Sequence, residues 1–311
     1  RRPANWPNSA RSLLDGSSDC AAAGRLDELL DGFTATELER LLADWEFVAR
    51  KDQWPPDATS NGLPWRQWLI LGGRGAGKTR AGAEWVKALA LGRTQFSMRP
   101  LGRIALVGET AADVRDVMVE GVSGLLAVHG SRERPRWESS RRRLLWDTGA
   151  VAQAFSAEDP ESLRGPQFHA AWCDELAKWR YARETWDMLQ FGLRLGDWPR
   201  QLVTTTPRPT PLLKELIAHP ATALTRALTR ENAANLAPSF LEGVIAQYAG
   251  TRLGRQELDG EIVEARKDAL WTREMLEGLR VKEAPPLARI VVAVDPPATS
   301  GKRADNCGLV A

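Results

Sequence analysis

From Trp65 onward, short apolar runs alternate with longer stretches in which apolar residues recur every three or four positions. The first pattern belongs to buried strands and the second to amphipathic helices, so their alternation predicts an α/β domain on a largely parallel sheet. Trp68 to Leu71 predicts a buried strand and Lys78 to Leu91 the helix after it. Arg103 to Gly108 predicts a second strand. Thr110 and Asp113 then form a capping-box-like start to a helix with Val114, Val117, Met118, Val122 and Leu125 on one face. Residues 144–155 (LLWDTGAVAQAF) predict a hairpin turning at Asp147-Thr148-Gly149. His169 to Cys173 predicts the next strand, followed by a long amphipathic helix from about Leu176, and Gln201 to Thr205 predicts another strand. Helices near 210–218 and 238–256 follow, and Ile290 to Val294 begins a new strand beyond Pro285 and Pro286.

Ahead of this pattern, residues 24–50 carry apolar positions at helical spacing, with Thr34 or Thr36 as cap of a second helix. Lys51 to Pro64, rich in Pro, Asp, Ser, Asn and Gly, predicts a connecting loop. The expected organisation is a helical lead-in or lid over 1–60, an α/β core over 61–225, a lid or linker region over 226–284, and the start of a further domain over 285–311.

Composition adds bounds. The 311 residues suffice for one large domain or two ordinary ones, and 43% hydrophobic with 26% charged residues is an ordinary soluble globular composition. The net charge of +2 says little about partners, but Arg132, Arg134, Arg136, Arg141, Arg142 and Arg143 crowd together. Such a cluster either tracks a DNA backbone or forms a solvated hairpin flank with Glu133 and Glu138 interleaved. Cys20, Cys173 and Cys307 lack metal-ligand spacing and a disulfide pattern, so a reducing cytoplasm is the expected home. No apolar run approaches the ~18 residues of a membrane helix, and RRPANWPNSA is not a signal peptide. With no initial Met and a GLVA end inside a predicted strand, both ends are expected to be cut or incomplete.

The chemistry begins at LILGGRGAGKTRAG, Leu69 to Gly82. Gly72, Gly77, Lys78 and Thr79 match G-x-x-x-x-G-K-[ST], so Gly72, Gly73, Arg74, Gly75, Ala76 and Gly77 form a candidate phosphate loop between strand and helix. Glycines let backbone N–H groups turn toward phosphate oxygens at a helix start, Lys78 reaches the β and γ phosphates, and Thr79 offers a hydroxyl to Mg²⁺. The bland alternative is a glycine-rich turn that happens to contain Lys-Thr. About a hundred residues on, the strand HAAWC ends in Asp174-Glu175. Asp174 at a strand tip can order the Mg²⁺ shell and Glu175 can polarise water. The intervening strand and the second acid point to the additional-strand, catalytic-glutamate class of P-loop ATPases. Thr204, Thr205 and Thr206 before Pro207 close the next strand, where hydroxyls can sense a γ-phosphate or merely reflect β propensity.

Several segments together, GGRGAGKTRAGAEW, AEDPESLRG, HAAWCDELAKW, LVTTTPRP and GRQELDGEIVEARKDALW, resemble the large terminase subunit of tailed bacteriophages, and most of all the terminases of phage-derived gene transfer agents. The resemblance runs from about Trp65 to Trp271. It implies an ATP- and Mg²⁺-dependent motor that drives double-stranded DNA into a procapsid, gripping phosphates without reading sequence. The implied partners are a portal protein, a small terminase subunit and further copies in a ring, with no membrane. Carried onto this chain, it implies that Lys78 and Thr79 bind phosphate and Mg²⁺, Asp174 orders the metal, Glu175 is the catalytic carboxylate and Thr204 to Thr206 couple hydrolysis to movement. Arg164 in SLRG falls where the family carries an arginine finger for a neighbour's site, or else is a surface arginine. Arg74 is typical of these terminases and either touches the γ-phosphate or pairs with an acid elsewhere. Trp65 and Gln67 fall where an adenine contact is expected. IVVAVDPPATSGKRADNCGLV resembles the first strands of a ribonuclease-H-like nuclease, with Asp295 as its first acid for Mg²⁺ or Mn²⁺ and Asp305 nearby. The other acids are expected beyond Ala311, so this chain is not expected to cut DNA. Two alternatives share the motifs: a helicase or recombination motor of related core, and a non-hydrolysing nucleotide-dependent docking scaffold. The single phosphate loop and the nuclease-like strand count against the first, and Glu175 beside Asp174 counts against the second.

Overall fold

A computed structural model describes residues 31–37, 44–93 and 96–263, with 271, 275, 278–280, 286, 289, 291–295 and 308–310. Cys20, Pro285, Asp305, Cys307 and most of the helical lead-in lie outside them. Within the lead-in, Thr34 is the residue that caps: its hydroxyl accepts from the Glu37 amide at 3.3 Å, and Glu37 Oε2 accepts from the Thr34 amide at 2.9 Å.

The chain divides into two compact units, Arg1–Glu264 and Ala265–Ala311. The first is built on an eight-stranded sheet: β1 (Gln67–Gly72), β2 (Arg103–Gly108), β3 (Arg136–Glu138), β4 (Arg143–Leu145), β5 (Val151–Ser156), β6 (Ala170–Asp174), β7 (Arg200–Thr205) and β8 (Thr222–Ala227). Their order is β3-β4-β5-β2-β6-β7-β1-β8. The six from β5 to β8 run parallel, and β3 and β4 add an antiparallel edge. Parallel strands place Gly72, Gly108, Ser156, Asp174, Thr205 and Ala227 on one edge of the sheet, where open α/β sheets bind ligands. β7 lies between β1 and β6, so the loop strand and the acid strand are separated by one strand, as the additional-strand class requires.

The strands read as continuous apolar runs because both faces are covered. Trp68, Ile70, Ile104, Leu106, Trp172 and Leu202 pack on one face with Trp85, Val86 and Leu89 of α1 (Lys78–Leu91). Leu69, Leu71, Ala105, Val107, Ala171, Cys173 and Val203 pack on the other with Trp186 and Leu189 of α2 (Ala182–Gly192) and Leu212, Leu213 and Leu216 of α3 (Pro211–Ala218). Gly82 lets α1 approach the sheet: a Cβ there would lie 2.1 Å from the Trp172 ring.

Three predicted helices differ from expectation. The one expected from Leu176 starts at Ala182, because Trp179 buries against the tip of β6 and donates from Nε1 to Asp174 O at 3.0 Å, leaving only a short turn over Leu176–Lys178. The helix after Thr110 winds wide over Val114–Val119 and stops before Gly121, so Val122, expected on its buried face, is 98% exposed. The helix near 238–256 breaks at Gly250, where φ is +73°, and resumes as α4 (Arg252–Glu257). The hairpin at Asp147-Thr148-Gly149 forms as predicted, whereas β8, an edge strand reading TALTRA, carries too weak an apolar signal to be foreseen.

In the second unit, β9 (Ala293–Asp295) pairs antiparallel with β10 (Gly308–Val310), setting Asp295 opposite Gly308. No helix among the described residues is long and apolar enough to cross a membrane.

Candidate functional site

At the end of β1 the chain turns through Gly73–Gly77 into α1. Gly75 and Gly77 have φ of +71° and +85°, a region that strains any side-chain-bearing residue. The amides of Gly75, Gly77, Lys78 and Thr79 make no backbone hydrogen bond among the described residues. Lys78, first residue of α1, is buried, and its Nζ donates to Gly72 O at 3.0 Å, Gly73 O at 2.9 Å and Thr206 Oγ1 at 3.2 Å. Burial lowers its pKa, and the charges of Glu175 and Asp174 oppose that shift. Thr79 follows in the first turn, half-buried.

The acids stand one strand away from β1, and the threonines of β7 bridge the gap. Alternation sends Thr204 and Thr206 toward the acids and Thr205 away. Thr204 Oγ1 donates to Asp174 Oδ1 at 2.5 Å and accepts from Trp172 Nε1 at 2.9 Å. Thr206 donates from Oγ1 to Glu175 Oε1 at 3.3 Å and from its amide to Glu175 Oε2 at 3.2 Å. Thr205 Oγ1 accepts instead from the Ala177 amide at 3.1 Å, pinning the turn after Glu175. Burial, with the neighbouring charge of Glu175, pushes the Asp174 pKa up to about 6, against the Thr204 hydrogen bond and Lys78. Glu175 sits at φ +51°, a left-handed conformation that costs a non-glycine residue on the order of 1–3 kcal/mol. Its Oε1 lies 3.7 Å from Lys78 Nζ, so lysine, threonine and glutamate form one chain across β1, β7 and β6.

Other sequence-predicted residues make different contacts. Gln67 is at the opposite end of β1, buried, donating to Thr222 Oγ1 at 2.7 Å and accepting from Gln201 Nε2 at 3.2 Å. The whole length of that extended strand separates it from Gly72, so it is not brought to the loop. Trp65 is buried against Trp198, with ring centroids 5.2 Å apart. Arg74 pairs with an acid elsewhere, Glu257 Oε2 at 2.8 Å. Arg164 follows the turn Pro160–Leu163 beyond β5, exposed and paired to Glu161 at 3.2 Å. The arginine cluster straddles β3 and β4, where Glu138 accepts from Arg143 at 2.7 Å and pairs with Arg136 at 2.9 Å. Asp295 belongs to the second unit.

The structure adds residues that sequence reasoning passes over. Arg50, Gln53, Thr229 and Asn232 all donate side-chain hydrogen bonds to carbonyls of the phosphate loop. Arg50 ends the helical lead-in and Gln53 sits in the predicted connecting loop, and no local pattern marks either as a partner of a segment 24 to 26 positions further on.

The donor set fits a nucleoside triphosphate with a hard divalent cation. Unpaired amides at a helix start and a buried ammonium suit an anion. The Thr79 hydroxyl and Asp174 carboxylate are oxygen donors of the kind Mg²⁺ takes beside phosphate oxygens. Among the described residues no group of three or more His, Cys, Asp or Glu could hold a metal ion, so such a cation would draw its other ligands from phosphate and water.

A loop of this form between strand and helix, one strand removed from an acid-tipped strand, defines a P-loop NTPase fold of the additional-strand class. The family model described as "Terminase large subunit, T4likevirus-type, N-terminal" matches residues 69–277, more than half of the chain, and the chain belongs to that family. Among solved structures, the large terminase ATPase domain of Thermus phage P74-26 is 16% identical over 64% of this chain and 89% of its own, with a TM-score of 0.48. The large terminase of a second, thermophilic bacteriophage is similar both in complex with ADP (15% identity, TM-score 0.51) and with ATP-gamma-S (14%, 0.51). These two alignments cover 74% of this chain and 54% and 53% of the phage chains, so this chain spans about half of that relative's length. No curated protein matches.

Proposed function

We propose that the chain is the ATPase part of a large terminase, a motor that drives double-stranded DNA into a phage or gene-transfer-agent procapsid in the host cytoplasm. The observation that carries this reading is the contiguous set Lys78, Thr206, Glu175, Thr204 and Asp174 at the ligand-binding edge of the sheet. Bound ATP with Mg²⁺ would supply the phosphoanhydride whose hydrolysis drives movement.

The chain's own residues then divide the work. Lys78 and the amides of Gly75, Gly77, Lys78 and Thr79 hold negative charge. Thr79 and Asp174 hold the cation. Glu175 accepts the proton of an attacking water, and its strained backbone fixes the carboxylate beside Lys78. Thr206 joins Lys78 to Glu175 at the exit of β7, so a change of partner at Lys78 is felt at Pro207 and the segment after it. Arg164, exposed and paired with Glu161, serves as the finger for a neighbour's site in a homo-oligomeric ring.

The coarser organisation is proposed with it: a lead-in before residue 61, an ATPase core to 225, a lid or linker to 284, and a nuclease beginning at 285. Asp295 would be one acid of that Mg²⁺- or Mn²⁺-dependent nuclease, whose two-metal chemistry needs several carboxylates. The portal and the small subunit are the proposed partners, with the arginines of β3 and β4 contacting DNA phosphates.

Steady-state ATP hydrolysis with linear duplex DNA and purified procapsids tests the motor reading. Stimulation of the parent that Arg164→Ala abolishes supports it. Stimulation by single-stranded DNA, with no response to procapsids, overturns it in favour of a helicase.

A further inference from the structure

The carbonyl oxygens of the phosphate loop are all held by side chains. Lys78 takes Gly72 O and Gly73 O. The Thr229 hydroxyl donates to Arg74 O at 2.7 Å, Asn232 Nδ2 to Gly75 O at 2.6 Å, Arg50 Nη2 to Ala76 O at 2.6 Å and Gln53 Nε2 to Gly77 O at 3.1 Å. A trans peptide sets each C=O opposite the N–H of the next residue. Holding each of Arg74 O, Ala76 O and Gly77 O by a side chain therefore turns the amides of Gly75, Gly77 and Lys78 away from that side chain. Those three amides make no backbone hydrogen bond among the described residues.

Two of these side chains also hold each other. Arg50 Nη1 donates to Asn232 Oδ1 at 2.8 Å, across 182 residues of sequence. Asp52 fixes the same guanidinium through Nε at 3.0 Å and Nη2 at 2.8 Å. The fork of Arg50 thus meets a carboxylate, an amide and a loop carbonyl at once, which a lysine cannot do.

We propose that Arg50 and Asn232 form a clasp that holds the phosphate loop in its anion-binding conformation before nucleotide arrives. They are positioning residues, and the proposal rests on the nucleotide-binding reading above. A loop containing Gly75 and Gly77 samples many backbone conformations when free, and ordering it on binding costs affinity. The clasp removes that cost in advance. It also ties the segment before β1 to the segment after β8, so a displacement of either one loosens the loop.

The test is titration of the 311-residue chain with a fluorescent ATP analogue and Mg²⁺, alongside turnover and amide hydrogen exchange. Arg50→Lys, Asn232→Ala and the near-isosteric Asn232→Asp, which keeps the acceptor but loses the donor to Gly75, should each weaken binding about tenfold. The double variant Arg50→Lys with Asn232→Ala should bind no more than about twofold more weakly than the worse single, because one unit is lost. KM for ATP should rise while kcat at saturation changes less than about threefold. Exchange over 72–79 without nucleotide should quicken while β6 and β7 exchange as in the parent. Parent-like affinity in these variants, where the parent binds and Lys78→Ala does not, would overturn the clasp. No binding by the parent would overturn the nucleotide reading and the clasp with it.

Discussion

Strand β1 carries a polar network at each end, and the two are built differently. At its start, Gln67, Gln190, Gln201 and Thr222 satisfy one another through neutral hydrogen bonds of 2.7–3.2 Å. At its finish, Lys78, Thr206, Glu175, Thr204 and Asp174 bring together three ionisable groups, contacts as long as 3.7 Å, one glutamate in a left-handed backbone and an aspartic acid pushed up to about 6. A neutral, self-satisfied network specifies register and needs nothing further. Charged groups gathered this closely, among them a carboxylate with a raised pKa, mark candidate ligand sites. Placement on the sheet agrees, since only the second network lies at the carboxyl ends of the parallel strands.

The largest effect should come from breaking the charged network. Lys78→Met is expected to reduce ATP hydrolysis about a thousandfold, read as steady-state phosphate release, because the ammonium is matched to developing phosphate charge. A smaller loss tests a third network that is neutral but titratable. His129 donates from Nδ1 to Leu125 O at 2.6 Å and accepts at Nε2 from Trp146 Nε1 at 2.9 Å, and burial lowers its pKa to about 4. Protonation sets two donors head to head. The unfolded chain binds this proton near 6.5 and the folded one near 4, so the stability it contributes is present above about 6.5 and lost as pH falls toward 4. That loss should reach at most ~3 kcal/mol in denaturant titrations at several pH values, and His129→Gln should flatten it.

Next in size, Gln67→Leu should cost about 1–3 kcal/mol of stability by stranding Thr222 and Gln201, while kcat and KM for ATP stay within about twofold of the parent. Were turnover to fall instead, the division between the two ends of β1 would fail. Smallest, Thr206→Val keeps the shape of the strand tip but removes the hydroxyl between Lys78 and Glu175. A roughly tenfold loss in kcat with little change in KM is expected, since Thr204 still holds Asp174.

Legibility in the sequence follows locality. The loop Gly72 to Thr79, the acid pair and the threonine triplet are readable because each is a contiguous run with a strand before it. Their division of labour is not, because it depends on which face of β7 each threonine takes: Thr204 and Thr206 meet the acids and Thr205 does not. The resemblance implies an adenine contact at Gln67, yet a six-residue strand carries it to the end of β1 opposite the loop. Arg50 and Asn232 give no signal, since their partnership closes 182 residues of chain. The displaced start of α2 has the same origin: the amphipathic period is real, but Trp179 is captured by the tip of β6. β8 escapes notice because TALTRA, with two threonines and an arginine among its six residues, lacks a continuous apolar run.

In the proposed function Glu175 performs the chemistry that the other groups arrange. Single-turnover ATP hydrolysis and equilibrium ATP binding by Glu175→Gln test it most directly. Binding within about twofold of the parent is expected, with hydrolysis lower by at least about a hundredfold. Hydrolysis as fast as the parent's would contradict it.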